Sequence, residues 1–484
     1  NDIERVEMAG KFGTREIENL ILSYLPFSPT CGQRELVKAL SAFIISFRLE
    51  VGFVLQGYAG TGKTSVIGAL VKALPHLNIT PVLLAPTGRA AKVLAAHAGA
   101  PAYTIHKQIY YSQASEEGQV RTTLRHNRSR NTLYIVDEAS MLGEEASLLD
   151  DLFRYVGTGY RCRVLLSGDT AQLPPVGSPY SPALEPDYLR SAFPFEFMFF
   201  RLEEVLRQAK DSSVLDNATA LRRRIADGNI GLPLFNLRQS VFRKDLARLN
   251  GEDLEEVLQN EYGRREREEI VFITRSNKRA NMFNNEIRAR IFGHEGEIAA
   301  GELLMVLKNN YYWLPATSKA GFIANGDMVE VLKVKRREEM YGLRFADIEA
   351  RLVDYPEEPP LELKIMLDAL QADAAALPYS RIRLLFEEVL ADYAHLPTKA
   401  RRMEEVRKNP YFNALQVKYA YALTCHKTQG GQWPCVFIEQ GYFTDEMFDT
   451  EYLRWLYTAL TRTVEKAYLL NFSDKFFATE EKGN

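Results

Sequence analysis

The hydrophobic positions in the first part of the chain form short apolar runs that alternate with stretches of helical periodicity. Short unbroken apolar runs, here of three to five residues, are typical of strands that are buried on both faces. Strands that alternate with helices predict a parallel sheet with helices packed on each side. The predicted strands contain Phe53–Leu55, Pro81–Ala85, Leu133–Val136 and Val164–Leu166. Because such sheets bind ligands at the carboxyl ends of their strands, we expect the polar residues after these runs to share one site.

A glycine-rich segment follows the first predicted strand. Gly57-Tyr-Ala-Gly-Thr-Gly-Lys63-Thr64 fits the pattern G-x-x-x-x-G-K-[ST], and a helical run continues from Thr64 until Pro75 ends it. Backbone N–H groups of such a loop converge with the helix N-terminus on phosphate groups. We therefore predict ATP binding, with Lys63 on the β- and γ-phosphates and the Thr64 hydroxyl on Mg²⁺. The predicted loop residues are Gly57, Ala59, Gly60, Thr61, Gly62, Lys63, Thr64 and Ser65.

Gln33 lies upstream of this loop, where a turn leads into a predicted helix. Its amide offers both a donor and an acceptor, which suits the Hoogsteen edge of adenine. We include Gln33 among the ATP-binding candidates. The alternative is an ordinary surface glutamine.

Polar side chains also follow the later apolar runs. Asp137 and Glu138 come directly after Tyr134-Ile-Val, and Gln172 follows the strand that contains Val164. A carboxylate opposite a phosphate loop can hold Mg²⁺, and a neighbouring carboxylate can orient or deprotonate the attacking water. We predict that Asp137 is a metal ligand and that Glu138 is catalytic. Acidic pairs are also common on protein surfaces, but the position at a strand end favours the catalytic interpretation.

Length and composition narrow the class of protein. A chain of 484 residues is too long for one core, and its 46% hydrophobic and 25% charged residues are those of an ordinary globular protein. Without an apolar run of membrane length or a signal peptide, we expect a cytoplasmic protein with no membrane partner. The four cysteines form no C-x-x-C pair, which argues against a disulfide framework or a zinc site. The formal net charge of −3 confines any nucleic acid to a local groove.

Further segments extend the pattern along the chain. In the first part these are Ala85-Pro-Thr-Gly-Arg-Ala-Ala, Thr104-Ile-His106 and Gly168-Asp-Thr-Ala-Gln-Leu-Pro-Pro-Val. In the second part they are Phe200–Gln208, Ile270–Asn277, Tyr421–Gln432 and Leu456–Arg462. With the phosphate loop and Asp137-Glu138, this series resembles the superfamily 1 helicases. It is most similar to the branch that contains RecD and phage Dda, which moves 5′ to 3′ on DNA.

The resemblance implies an α/β protein with two RecA-like P-loop NTPase domains. The first spans residues 1–200, including N-terminal helices and a small β-hairpin insertion, the pin, at about 108–131. The second comprises 201–300 and 416–484, and it is interrupted at 301–415 by an SH3-like barrel with a helical extension at 357–408. The pin segment is also compatible with a solvated hairpin. The extension is compatible with a tower-like structure or with a surface for a partner protein.

The resemblance also implies residue roles. Lys63, Glu138 and Gln172 act in catalysis from the first domain, with Gln172 sensing the γ-phosphate, while Arg207 and Arg462 reach the γ-phosphate from the second. The implied contacts with nucleic acid are Pro86, Thr87, Thr104, His106, Thr424, His426 and Lys427. Taken singly, the arginines are also compatible with exposed salt bridges and His106 with a structural histidine, but their places in the motif series favour the functional roles. Gly431-Gln432 stands where many members have Ser-Glu, so the ribose contact of that glutamate is not transferred.

The implied function is that of an ATP- and Mg²⁺-dependent DNA helicase that moves 5′ to 3′ on single strands and unwinds duplexes. We expect a monomer that binds single-stranded DNA and strand junctions during replication, repair or recombination. A superfamily 1 RNA helicase is one alternative, because phosphate contacts do not distinguish the two sugars. The other alternative is an ATP-binding clamp subunit that unwinds DNA only within a complex.

Overall fold

The computed structural model describes residues 13–46, 48–114, 120–143, 148–204, 212–237, 245–315, 318, 320–374 and 376–477. Within these ranges no helix is both long and apolar enough to cross a membrane. All four cysteines carry free thiols, and Cys31 is the exposed one.

Residues 13–204 form a six-stranded parallel sheet with strand order β3-β2-β6-β7-β1-β8. Its strands, with a separate hairpin β4–β5, are β1 (Val51–Gly57), β2 (Thr80–Ala85), β3 (Ala102–Thr104), β4 (Tyr110–Ala114), β5 (Val120–Leu124), β6 (Thr132–Val136), β7 (Arg163–Gly168) and β8 (Glu196–Leu202). The helices are α1 (Thr14–Ser23), α2 (Cys31–Ile45), α3 (Lys63–Ala73), α4 (Gly88–Ala98), α5 (Ile105–Ile109), α6 (Leu148–Gly157) and α7 (Pro186–Ala192).

Both faces of this sheet are covered, as the apolar runs predict. Side chains alternate between the two faces of a strand, so Phe53 and Leu55 of β1 join the core beneath α1–α4, whereas Val54 joins the core beneath α6 and α7. A strand with apolar residues on both faces is stable only in the interior of such a sandwich. The predicted parallel α/β sheet is confirmed.

The predicted hairpin is also confirmed. β4 and β5 pair antiparallel, with Tyr110 opposite Leu124 and Ala114 opposite Val120. The connecting residues 115–119 lie outside the described residues. The hairpin stands apart from the six-stranded sheet as a separate two-stranded unit.

A second parallel sheet has the strand order β16-β10-β17-β18-β9. Before the barrel, the chain contributes α8 (Ser213–Ala226), β9 (Leu246–Leu249), α9 (Leu254–Tyr262), β10 (Ile270–Thr274) and α10 (Asn277–Glu286), which continues as a π-helical turn (Ile287–Ile291). The barrel region contains β11 (Leu303–Val306), β12 (Met328–Met340), β13 (Leu343–Leu352), β14 (Leu361–Met366), α11 (Tyr379–Asp392), α12 (Lys399–Lys408) and β15 (Leu415–Tyr419). The final elements are β16 (Ala422–Thr424), α13 (Cys425–Thr428), β17 (Trp433–Glu439), α14 (Thr450–Leu460) and β18 (Thr463–Leu470).

Strands β11 to β15 close into the expected small barrel. The structure corrects the interpretation of 357–408 as wholly helical, because residues 361–366 form the barrel strand β14. Leu361 and Leu363 alternate with the exposed Glu362, and this period of two fits a strand with one buried face. The helices begin only at Tyr379. The expected unit limits also differ slightly from the strand ends, since β8 continues to Leu202 and β15 belongs to the barrel.

Candidate nucleotide-binding and nucleic-acid sites

A cleft of about 720 Å³ lies between the two parallel sheets, at the carboxyl ends of β1, β6 and β7. Both sheets contribute to its walls, as expected if a ligand bridges them. The predicted residues that line it are Ala59, Gly60, Gly62, Lys63, Thr64, Ser65, Asp137, Glu138, Gln172 and Arg462. The structure therefore collects most of the predicted ATP site in one place.

The phosphate loop has the backbone that the glycine pattern requires. Gly60 and Gly62 have φ angles of 75° and 80°, in the left-handed region that side chains with a Cβ rarely adopt. Gly62 directly precedes α3, so the N-terminus of this helix opens into the cleft. The Lys63 ammonium donates to the carbonyl oxygens of Gly57 and Tyr58, which holds its side chain along the loop.

Three of the ATP-binding candidates do not line the cleft: Gln33, Gly57 and Thr61. Gln33 is fully buried, and both ends of its amide bond to protein. Its Oε1 accepts from the Thr30 N–H (3.1 Å), and its Nε2 donates to the Thr61 carbonyl (3.0 Å). Gln33 thus caps α2 and braces the phosphate loop, and its contact with adenine stays a prediction.

The two carboxylates at the end of β6 differ in their surroundings. Glu138 has a φ of 53°, a strained backbone angle for a residue with a side chain, and its carboxylate lies 3.8 Å from the Arg462 guanidinium. Burial raises the pKa of Glu138, with nearby Arg462 acting in the opposite direction. Asp137 makes no ion pair within the described ranges. An unpaired carboxylate and the Thr64 hydroxyl, both facing the cleft, are oxygen donors of the kind that Mg²⁺ prefers.

Gln172 lies in the cleft with its Oε1 buried and without a hydrogen-bond partner. The next residue, Leu173, is hydrogen-bonded to residues of the second-sheet domain through both its N–H group and its carbonyl group. The Leu173 N–H donates to the Thr458 hydroxyl (2.8 Å), and the Leu173 carbonyl accepts from Gln429 Nε2 (2.7 Å). Since Gln429 is two residues from Lys427, this path joins the cleft to the predicted nucleic-acid segment.

Arg462 reaches the cleft from the junction of α14 and β18. Its guanidinium is buried and donates to the carbonyl oxygens of Thr458 and Gly431, each at 3.2 Å. These bonds fix the guanidinium beside Glu138 in the first sheet. Arg207 falls outside the described residues, so its predicted role stays a prediction.

Two contacts across the cleft were not predicted from the sequence. The Tyr457 hydroxyl on α14 bonds to the Ala59 N–H and to the Asp169 carboxylate. The Arg222 guanidinium on α8 lies 4.1 Å above the Tyr58 ring. No local pattern distinguishes a buried tyrosine or a helical arginine of this kind, because their partners come from distant parts of the chain.

The predicted contacts of the first nucleic-acid segment share a smaller pocket of about 290 Å³. Pro86, Thr87, Thr104 and His106 form one wall. The barrel supplies the other wall with Leu307, Lys308, Asn309, Ala324 and Asn325. The Thr87 and Thr104 hydroxyls cap the helices that follow them, by accepting from the N–H groups of Ala90 (3.2 Å) and Lys107 (3.3 Å). The barrel residues were missed from the sequence because only the fold brings their turns here.

The second predicted nucleic-acid segment contains Thr424, His426 and Lys427. It lies next to this pocket, but these three residues do not line it. Thr424 precedes α13, and burial lowers the pKa of His426 within that helix. Burial also lowers the pKa of Lys427, to about 8, with Lys418 adding to the effect. Gly430 then approaches α4 so closely that an added Cβ would lie 2.6 Å from Ala90 Cβ. The two predicted segments are therefore neighbours across the two sheets.

The barrel is docked on the first sheet beside the same pocket. Asp327 Oδ1 is buried without a partner, and it faces Gly88 so closely that a Cβ there would lie 2.2 Å away. Burial raises the pKa of Asp327 to about 8, so the carboxyl carries its proton at neutral pH. A neutral carboxyl next to the start of α4 adds no negative charge beside the pocket.

Two family models match the chain. The first matches the part that forms the first sheet, and the second matches part of the segment that forms the second sheet. An AAA domain matches residues 31–231, and a UvrD-like helicase C-terminal domain matches residues 419–470. Together they cover slightly more than half of the chain, and the second match contains Arg462. These two models, in this order, agree with the resemblance to the superfamily 1 helicases. The AAA match spans the phosphate loop, and the predicted resemblance is confirmed.

Two relatives match the sequence over different shares of their length. The chain is 36% identical over 171 residues to the ATP-dependent RecD2 DNA helicase of Deinococcus radiodurans, a match that spans 35% of this chain and only 21% of the relative. It is 20% identical over 489 residues to an uncharacterised protein of Acanthamoeba polyphaga mimivirus, spanning 86% and 94% of the two chains.

The comparison with solved structures found Pif1 helicases at 15% sequence identity. The Bacteroides Pif1 bound to single-stranded DNA has a TM-score of 0.45, with 91% of this chain and 94% of that chain covered. The Candida albicans Pif1 has a TM-score of 0.44, with 94% and 97% covered.

Proposed function

We propose that this chain is an ATP-dependent DNA helicase that moves 5′ to 3′ on single-stranded DNA and unwinds duplexes. The observation that carries the proposal is the pairing of Arg462 from the second sheet with Glu138 from the first, at 3.8 Å within a cleft lined by the phosphate loop. A site completed by two domains hydrolyses ATP only when they close. Hydrolysis therefore alternates with domain movement, which is what a motor requires.

The geometry of the cleft supports the following proposed roles. Lys63 leaves the loop carbonyls to bind the β- and γ-phosphates, and Glu138 orients or deprotonates the attacking water. Arg462 stabilises the charge that develops on the γ-phosphoryl group. Thr64 and Asp137 would hold Mg²⁺, which neutralises charge on the β- and γ-phosphate oxygens when bound. Gln172 senses the γ-phosphate and transmits its presence through Leu173 and Gln429 to the nucleic-acid segment.

Nucleic acid binds across the top of both sheets. Thr87 and Thr104 lie at helix N-termini, where backbone N–H groups favour phosphate, and neutral His106 offers a ring for base stacking. The barrel covers this pocket with Lys308, Asn309 and Asn325. The hairpin β4–β5 serves as the pin that separates the strands. We further propose that the helicase is a monomer and that exposed Tyr379 and Leu384 on α11 form a surface for a partner protein.

Strand displacement on tailed duplexes tests the proposal. With Mg-ATP, we expect the purified chain to unwind a DNA duplex with a 5′ single-stranded tail and to leave the same duplex with a 3′ tail intact. Unwinding of the 3′-tailed duplex alone would retain the helicase but reverse its direction. DNA-stimulated ATP hydrolysis without unwinding of either duplex would favour the clamp-subunit alternative, and preference for a 5′-tailed RNA duplex would favour an RNA helicase.

The lowered pKa of Lys427 predicts a pH-dependent affinity for single-stranded DNA. An amine with a pKa of about 8 is charged at pH 7 and retains its charge in about one tenth of molecules at pH 9. Because phosphate binds the charged form, affinity is expected to fall by up to about tenfold between these pH values. Fluorescence anisotropy of a labelled oligonucleotide at constant salt measures the change.

The matched variant is Lys427→Arg, whose guanidinium stays charged throughout this range. We expect its affinity to vary much less with pH. Lys72→Arg, at an exposed position of α3, serves as the control and should behave like the wild type. An equal loss of affinity at pH 9 in Lys427→Arg would exclude Lys427 as the source.

A further inference from the structure

We propose that Tyr457 is a positioning residue for ATP hydrolysis, whose hydroxyl holds the phosphate loop and Asp169 in register when the two sheets are closed. The inference rests on the proposed ATPase function and adds a residue to it. Tyr457 lies five residues before Arg462, within the same helix that forms the second wall of the cleft.

The hydroxyl connects three segments in a chain of hydrogen bonds. It accepts from the Ala59 N–H of the phosphate loop (3.0 Å) and donates to Asp169 Oδ2 after β7 (2.5 Å). Tyr457 itself belongs to α14 of the second sheet and is only 1% exposed. Burial raises the pKa of Tyr457, so the hydroxyl keeps the proton that it donates. The Tyr457 hydroxyl, on a helix of the second-sheet domain, is thus hydrogen-bonded to two loops of the first domain, the phosphate loop and the segment after β7.

Asp169 depends on this donor. Its Oδ1 accepts from the Ala171 N–H (2.9 Å), and its carboxylate is 1% exposed. Within the described ranges no cation forms an ion pair with Asp169. The charge of Asp169 also acts on Glu138, whose pKa is raised chiefly by burial and further by its acidic neighbours. A shift of Asp169 would therefore alter the field at the proposed catalytic carboxylate.

Closure and chemistry are linked through these bonds. When α14 moves away from the first sheet, the Ala59 N–H and Asp169 Oδ2 both lose their partner. The phosphate loop and the segment that carries Gln172 are then free to shift, because Gln172 lies three residues after Asp169. Displacement of reacting groups by about 1 Å is enough to lower a rate by about a hundredfold. ATP bound in an open cleft is therefore hydrolysed slowly.

Tyr457→Phe tests the inference, because it removes the hydroxyl and keeps the ring. We expect kcat for ATP hydrolysis with saturating single-stranded DNA to fall by about 10- to 100-fold, while KM for ATP changes by less than about threefold. Tyr452→Phe is the matched control. Tyr452 lies on the same helix, and among the described residues its hydroxyl bonds to Gln440 Nε2 (3.5 Å), from which it accepts, and makes no bond to the first sheet. This variant should keep the wild-type kcat.

A double-mutant cycle with Asp169→Asn separates positioning from a general loss of stability. If Tyr457 acts through Asp169, the double variant should be about as slow as the slower single variant. Additive losses in the cycle, or an unchanged kcat in Tyr457→Phe, would overturn the inference and leave the ATPase proposal intact. An inactive wild-type chain would instead overturn the proposed function itself.

Discussion

Lys63→Ala is expected to abolish measurable ATP hydrolysis, with a loss in kcat of at least about a hundredfold. Lys63 begins α3 at the phosphate loop, and in the proposed site its ammonium supplies the positive charge of the loop to the β- and γ-phosphates. Alanine removes this charge and keeps the helix, since alanine is a good helix former. Steady-state ATPase assays with and without single-stranded DNA measure the loss.

Lys72→Ala provides the control for this experiment. Lys72 lies in the last turn of the same helix and is exposed, so its removal should leave hydrolysis unchanged. Thermal unfolding should show that both variants retain the fold. Normal turnover by Lys63→Ala would place the reaction at another site and remove the basis for the ATP cleft.

Arg462→Ala is expected to lower kcat by about a thousandfold, the effect of losing an arginine finger. The guanidinium is held by the Gly431 and Thr458 carbonyls beside Glu138, which fits the proposed contact with the γ-phosphoryl group. ATP should still bind, because the phosphate loop belongs to the other sheet. Binding of a fluorescent nucleotide and steady-state hydrolysis distinguish the two effects.

The removal of Arg462 should also change the pKa of Glu138. Without the neighbouring cation, the already raised pKa of Glu138 should rise further, so any residual activity should need a higher pH. Lys466→Ala is a suitable control, because Lys466 lies nearby on β18 but interacts with Glu261 outside the cleft. Weakened nucleotide binding with an unchanged kcat would assign Arg462 to binding instead of catalysis.

The combined result of these variants tests whether the chain works as the proposed motor. Lys63 and Arg462 belong to different sheets, and Tyr457 and Thr458 join the sheets beside them. Loss of hydrolysis from either side would show that the active site is complete only in the closed form. In this structure Gly430 packs against α4, next to the pocket proposed for the strand.

The sequence by itself determined the parallel sheet of the first part, the phosphate loop and the acidic pair at the end of β6. Each depends on neighbours in the chain: a strand buried on both faces needs an unbroken apolar run, and the loop needs glycine where φ is positive. Asp137 and Glu138 could be located because the end of an apolar strand is visible in the sequence.

Only the tertiary structure decided which distant residues meet these segments. The hydroxyl of Tyr457, the docking of Lys308 and Asn325 over the strand pocket, and the engagement of Gln33 by Thr61 depend on segments far apart in the chain. Residues 361–366 are predicted as helix because their few apolar residues fit both the helical period and the strand period of two. Only the pairing with β13 and β15 in the barrel makes this segment a strand. Neighbouring residues in the sequence indicate the local conformation of the backbone. Contacts between domains depend on which distant segments pack together, and a short stretch of sequence does not show this.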